Sequence, residues 1–211
     1  TSPHWYSAER LRALIAAYIN AESNGAQPRT VREFISEFRG LSATQKQKSI
    51  LQIAGLSSVY LRDLVKDGDV NRSVVDDLLM LMRGESKAVK PAALGQVGEK
   101  HLRTWFDAQG VELRTFKYKR HADTGDNNMP YVVEFAFALR GDRGTRRLLT
   151  GINWSPTLAD PFRSLNRYGI GLDGLLNQLH ISPDEPVTFV LHLACPHLNY
   201  TDRGKSSLED L

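Results

Sequence analysis

Val187-Thr-Phe-Val-Leu-His-Leu-Ala194 is apolar at nearly every position. A strand with one solvated face alternates apolar and polar residues, so an almost continuous apolar run belongs to a strand covered on both faces. The reading places it at the centre of a sheet. Upstream, Leu172, Leu175, Leu176 and Leu179 lie on one face of a predicted helix, and Arg146–Trp154 reads as a strand. Tyr131, Val133, Phe135, Phe137 and Leu139 alternate along another strand, and Val111–Tyr118 alternates in the same way. A helix over about Gly98–Ala108 carries Leu102, Trp105 and Phe106. Strands interleaved with helices in this order predict an α+β layer architecture, with the helices expected on one face.

Before residue 92 the apolar period lengthens. Gly84-Glu-Ser-Lys-Ala-Val-Lys-Pro91 breaks the chain with charge and helix breakers, and everything ahead of it reads helical. Ser7 caps a segment with Leu11, Leu14, Ile15 and Tyr18 at helical spacing, ended by Asn24-Gly25 and Pro28. Thr30 and Glu33 form a capping-box pair ahead of Val31, Phe34, Ile35 and Phe38, closed by Gly40. Ser42 is expected to open a third helix that stops at Ala54-Gly55-Leu56, a glycine C-cap with its apolar follower. Ser58 and Asn71 are expected to cap two more. The predicted organisation is an all-α domain over residues 1–86 and an α/β domain over 92–211.

The chain has 211 residues, 41% hydrophobic and 24% charged, with formal net charge +3. That composition is ordinary for a globular protein. No apolar run is as long as a membrane span, and no signal-peptide layout opens the chain, so a cytoplasmic location without membrane contact is expected. The weak positive charge permits an acidic partner without requiring one. One cysteine, Cys195, leaves no disulfide partner within these residues and reads as packing at a strand end. The six histidines, at 4, 101, 121, 180, 192 and 197, show no metal-ligand spacing, and His192 reads as a satisfied sheet residue.

Three stretches carry chemistry. Near the C-terminus, Lys205 stands where a helix is expected to start, with Thr201 or Asp202 as cap and Gly204 allowing close backbone approach. A cation there is opposed by the helix dipole unless an anion faces it, so a phosphate contact and a solvated surface lysine are the two readings. Arg114, Lys117, Lys119 and Arg120, with Arg140, Arg143, Arg146 and Arg147 beyond the next turn, read either as a basic ridge for phosphate backbones or as a solvated hairpin with Asp123, Asp126 and Asp142 interspersed. Asn166-Arg-Tyr-Gly-Ile-Gly171 has no strand leading into it and reads as a helix entry, not a phosphate loop.

Four segments in order resemble one family. Thr30-Val-Arg-Glu-Phe-Ile-Ser-Glu-Phe38 followed by Ile53-Ala-Gly-Leu56 is similar to the helix-two-turns-helix segment of the B subunit of type IIB DNA topoisomerases (topoisomerase VI). Leu94-Gly-Gln-Val-Gly-Glu-Lys-His-Leu102 resembles the opening of that family's transducer domain, and Thr150-Gly-Ile-Asn-Trp-Ser-Pro-Thr-Leu158 stands at its "A-N-R" strand end. Cys195-Pro-His-Leu-Asn-Tyr-Thr-Asp-Arg-Gly-Lys-Ser206 resembles the loop bearing its switch lysine. Trp154 replaces the family's arginine, and Arg203 replaces its acidic residue, marking a divergent branch.

The resemblance implies a helix-two-turns-helix-like module followed by a ribosomal S5 domain 2-like transducer, cut short at its C-terminal helix. It implies a relay of nucleotide state from a GHKL-type ATPase domain, whose motifs these residues lack, to a topoisomerase A-like DNA-cleaving subunit. Lys205, with Gly204, then matches the lysine that reaches the γ-phosphate. ATP and Mg in the longer protein, duplex DNA as substrate, a B-subunit dimer in the ATP-bound state and nucleoid association follow as expectations, with this fragment inactive alone. Arg114, Lys117, Lys119, Arg120, Arg143, Arg146 and Arg147 are the candidate DNA contacts. Two alternatives stay open: the same architecture in a GHKL ATPase of another pathway, such as phage defence, and a plain nucleic-acid-binding module.

Overall fold

Ser7 Oγ accepts the Arg10 N–H at 3.2 Å and starts helix α1, Ala8–Ser23, which buries Leu11 and Ile15. The structure, a computed structural model, describes residues 1–125, 128–142, 144–157, 160–162, 170–200 and 207–208. They divide into two units, Thr1–Val89 and Lys90–Leu211.

In the first unit, Thr30 and Glu33 close a full capping box on α2, Val31–Ser36, satisfying two otherwise orphan donors reciprocally. Helix α3, Thr44–Ala54, ends on Gly55 in the left-handed region (φ 67°), from which the Leu56 N–H reaches back to the Leu51 carbonyl. Its N-cap is Ala43 and not Ser42, and no side chain caps it. Ser58 does not start a helix. Leu61–Leu64 form a single 3-10 turn, followed by a two-stranded hairpin of β1, Val65–Lys66, and β2, Asp69–Val70, that the all-helical reading missed. Two-residue strands are below the length at which a periodicity is visible. Asn71 caps α4, Arg72–Gly84, by accepting the Val74 N–H. The helices share a core in which Phe34, Ile50, Leu78 and Met82 are fully enclosed.

The second unit is α+β. Helix α5, Glu99–Ala108, precedes strands β3, Lys117–Thr124, β4, Pro130–Leu139, β5, Arg147–Ile152, and β6, Ser155–Pro156; α6, Leu172–Gln178, and β7, Val187–Ala194, follow. Among the described residues these strands make one five-stranded mixed sheet in the order β3-β4-β7-β5-β6. β7 is the middle strand, antiparallel to β4 and parallel to β5, in keeping with its apolar run. The parallel pair needs a crossover, and α6 lies in it.

Two expectations fail. The strand anticipated over Val111–Tyr118 begins only at Lys117; Leu113–Thr115 form a 3-10 turn. The helices do not share a face. Leu102 and Phe106 of α5 pack with Ala136, Ala138 and Val190, whereas Leu172 and Leu176 of α6 pack with Phe189, Leu191 and Leu193. Consecutive strand residues point to opposite faces, so α5 and α6 cover opposite sides of the sheet. A middle strand apolar on both sides is the sequence counterpart of that arrangement.

Candidate functional site

The most heavily organised polar cluster lies at the end of the sheet where β7 finishes. Glu134 projects from β4 on the α5 side and is fully buried. Its neighbours in register are Arg120 of β3 and His192 of β7. One carboxylate oxygen accepts the Gly98 N–H at 2.7 Å and the Tyr118 hydroxyl at 2.8 Å. The other accepts the Val97 N–H at 2.7 Å and His192 Nδ1–H at 2.9 Å. Burial opposes ionisation, but the four donors outweigh it and hold Glu134 below the ordinary carboxylate range. Tyr118 is pushed the other way, by burial first and then by its bond to this carboxylate.

Gly98 is the N-cap of α5 (φ 87°), so Glu134 meets two backbone donors at the positive end of that helix. On the other side of the network, His192 Nε2 accepts the Trp154 N–H at 3.1 Å. With Nδ1 donating and Nε2 accepting, the imidazole is the neutral Nδ1–H tautomer and has no free nitrogen. The expectation of a satisfied sheet histidine is met. A carboxylate–imidazole pair with both partners saturated holds structure; it has no lone pair left to take a proton from a substrate.

Asn153 and Trp154 form the two-residue turn between β5 and β6, with φ of 48° and 66°. Left-handed values at both central residues belong to a type I′ hairpin, where Asn-Gly is the preferred pair. Tryptophan in that region costs roughly 1–2 kcal/mol. Four hydrogen bonds and one packing contact hold it there. Asn153 N–H donates to the Leu193 carbonyl at 2.9 Å, and its side chain clasps Cys195, donating to the carbonyl and accepting the N–H, each at 3.0 Å. The fourth is the His192 bond, and the Trp154 indole lies against Gly95, where a Cβ would run into the ring. The clasp fixes the point at which β7 leaves the sheet.

Beyond it, the Cys195 thiol is buried, donates to the His197 carbonyl at 3.1 Å, and has its pKa raised by that burial. Tyr200 and Leu208 form an antiparallel bridge; Leu208 is buried and donates its N–H to the Pro161 carbonyl. Lys205 and Gly204, with their expected helix start, lie outside the described residues, as do Arg143 and most of Asn166–Gly171. What is described is the pair of anchors, Tyr200 and Leu208, on either side of the lysine.

The basic residues do not form one ridge. Lys117 and Lys119 pair with Phe137 and Phe135 and point to the α6 face, whereas Arg120 pairs with Glu134 and points to the α5 face. Arg147 shares the α5 face and lines a cleft of about 330 Å³ with Trp105, Gln109 and Leu149. Arg114 is exposed and bound to Glu112 at 3.0 Å. Arg146 is corrected outright: its side chain is only 5% exposed, paired with Asp173 and donating to the Ile181 carbonyl at 2.6 Å, so it ties α6 to the sheet. The Glu134 network itself was missed from sequence. Its signal was a lone glutamate in an alternating apolar strand, with His192 breaking the apolar run of β7.

Among the described residues, no helix is long and apolar enough to cross a membrane, and no group of three or more potential metal-ligating side chains occurs. No family model matches the chain, and no match was found among curated proteins. Among solved structures, the crystal structure of the B-subunit of the DNA gyrase from Myxococcus xanthus is similar to it over 44% of this chain, with 16% identity and a TM-score of 0.29. The chain covers 29% of that subunit.

Proposed function

We propose that the chain is the helical and transducer portion of an ATP-dependent type IIB topoisomerase B-like subunit, relaying nucleotide state through Lys205. The reading rests on the four ordered motif resemblances. The observation that carries it is the fixed exit from β7. Asn153 clasps Cys195 at the end of β7, and Tyr200 bridges Leu208, so described residues on both sides of Lys205 are tied down. In this reading Lys205 serves as a differential contact: paired with a γ-phosphate when ATP is bound, unpaired after phosphate leaves.

In this reading the phosphate and its Mg ion are held by a GHKL-type domain outside these residues, and Lys205, with Gly204 giving close approach, reaches to them. Closure would turn the Lys90–Leu211 unit relative to that domain and so bias a DNA-cleaving A-like partner on duplex DNA, in a B-subunit dimer at the nucleoid. The Thr1–Val89 unit takes the place of the family's helix-two-turns-helix module. Tyr118, Glu134 and His192 have a mechanical part. They connect the start of α5 to the Asn153–Trp154 turn, and through it to the exit of β7.

The test is Lys205→Ala in the longer protein that carries the ATPase domain. Turnover should fall at least tenfold while nucleotide affinity changes much less, because the contact is stronger in the transition state than in the ground state. Turnover equal to wild type removes the role. The present chain alone should show no melting-temperature shift with Mg-ATP, since a ligand stabilises only a fold that binds it.

A further inference from the structure

On the α6 face, β4 presents Phe135 and Phe137 side by side, two residues apart, each half-buried. Both rings rest on Phe189 of β7, with centroids at 5.5 and 5.7 Å, so they are backed by core and fixed in orientation. In register beside them on the edge strand β3 stand Lys119, opposite Phe135, and Lys117, opposite Phe137, both exposed. Neither lysine has a carboxylate partner among the described residues. The edge strand thus sets one exposed lysine beside each aromatic ring.

We propose that this part of the sheet binds single-stranded nucleic acid, Phe135 and Phe137 stacking on successive bases while Lys119 and Lys117 hold the adjoining phosphates. The Phe135 and Phe137 ring centroids lie 6.1 Å apart, well beyond the roughly 3.4 Å charge spacing along one strand of B-DNA. That is the step of a strand drawn out of the duplex, with its bases unstacked and their faces open to a ring. In a duplex those faces are covered by neighbouring bases, so the phenylalanines would contribute nothing. Two lysines alone are a poor duplex site. Charge complementarity and backed aromatic faces together favour a single strand over an acidic protein surface, which would use the lysines and leave the rings idle. The inference does not rest on the Lys205 reading and fails separately from it.

The experiment is fluorescence anisotropy of the 211-residue chain with labelled oligothymidylate and with a mixed-sequence duplex of equal length, over a range of salt. The single strand should bind at least tenfold more tightly. The Lys117→Glu/Lys119→Glu pair should abolish binding at moderate salt, whereas Lys48→Glu/Lys66→Glu, of equal charge change on the first unit, should reduce it no more than a few-fold. Phe137→Leu, which keeps an apolar side chain in place, should weaken it about fivefold or more, the lower range for loss of one base-stacking ring. Phe135→Leu provides the same readout should the first variant fold poorly. Equal affinity for duplex, binding indifferent to the β3 lysines, or leucine variants that bind as wild type would each overturn the proposal.

Discussion

Replacing Glu134 removes one acceptor from under four donors. In Glu134→Ala, the Val97 and Gly98 amides, the Tyr118 hydroxyl and His192 Nδ1–H all lose their partner in a site with no solvent exposure at the carboxylate. A buried unsatisfied donor costs about 1–3 kcal/mol, so four taken singly would total about 4–12 kcal/mol. Relaxation lowers that sum: Tyr118 is only half-buried and can turn its hydroxyl to water. The two amides cannot move without unwinding the start of α5. A loss of about 3–5 kcal/mol is expected, toward the lower end of that sum. Glu134→Gln is the sharper test. Its amide presents one oxygen and one NH2, so whichever way it turns, either the Val97 or the Gly98 N–H faces a donor. About 1–3 kcal/mol is expected from that mismatch. Because the chain has two units, a single denaturation midpoint is a poor readout. Amide hydrogen exchange at Val97, Gly98 and Leu102 reports the local opening directly. Exchange there unchanged in both variants would refute the hub. The same carboxylate fixes the pH dependence. Its folded pKa is depressed, so its stabilisation is present above the unfolded value of about 4.3 and is lost as pH falls through the folded one. Wild-type protection of these amides should therefore decline in acid, and the decline should be smaller in Glu134→Gln.

Asn153→Gly keeps a residue suited to the left-handed turn but deletes both clasp bonds to Cys195; a loss of about 1–3 kcal/mol is expected at two net hydrogen bonds, with exchange at the Cys195 amide accelerating most. An unchanged Cys195 amide would show that the turn does not hold the strand end. Cys195, buried and with its thiol pKa raised, should react with a thiol reagent at neutral pH at least tenfold more slowly than after denaturation, measured by mass spectrometry.

Apolar periodicity exposed most of the fold because long elements with a buried face repeat it several times: α1, α4 and α5, the alternation in β4 and the doubly covered β7 all left that trace. What escaped it had no apolar repeat. β3, reading Lys-Tyr-Lys-Arg-His-Ala-Asp-Thr, is an edge strand with exposed residues at nearly every position, so its pairing comes from β4 and not from its own pattern. The β1–β2 hairpin is too short to show a period, and its turn is marked only by Asp67-Gly68. Arg146 looked like its basic neighbours, and only the return of α6 to the sheet reveals Asp173 and the Ile181 carbonyl waiting for it. Glu134, His192 and Trp154 are far apart in sequence and meet through strand register alone.

That register also decides what the Glu134–His192 pair is for. An acid hydrogen-bonded to one imidazole nitrogen resembles the oriented pair of a general-base catalyst. There the second nitrogen faces a nucleophile or substrate. Here it faces the Trp154 N–H, and the ring is buried. The pair joins backbone to backbone: two amides at the start of α5 on one side, a strained turn on the other, and beyond the turn the clasped exit of β7. Trp154 is kept left-handed because His192 accepts its N–H, Asn153 clasps Cys195, and the indole packs over Gly95. The clasped end of β7 at Cys195 thus has a hydrogen-bonded route through the Asn153–Trp154 turn, His192 and Glu134 to residues 97–98, at the start of α5. Should substitution at Lys205 alter turnover while Asn153→Gly leaves the coupling intact in the longer protein, that route would not carry the signal, and rigid-body movement of the whole sheet would have to carry it instead.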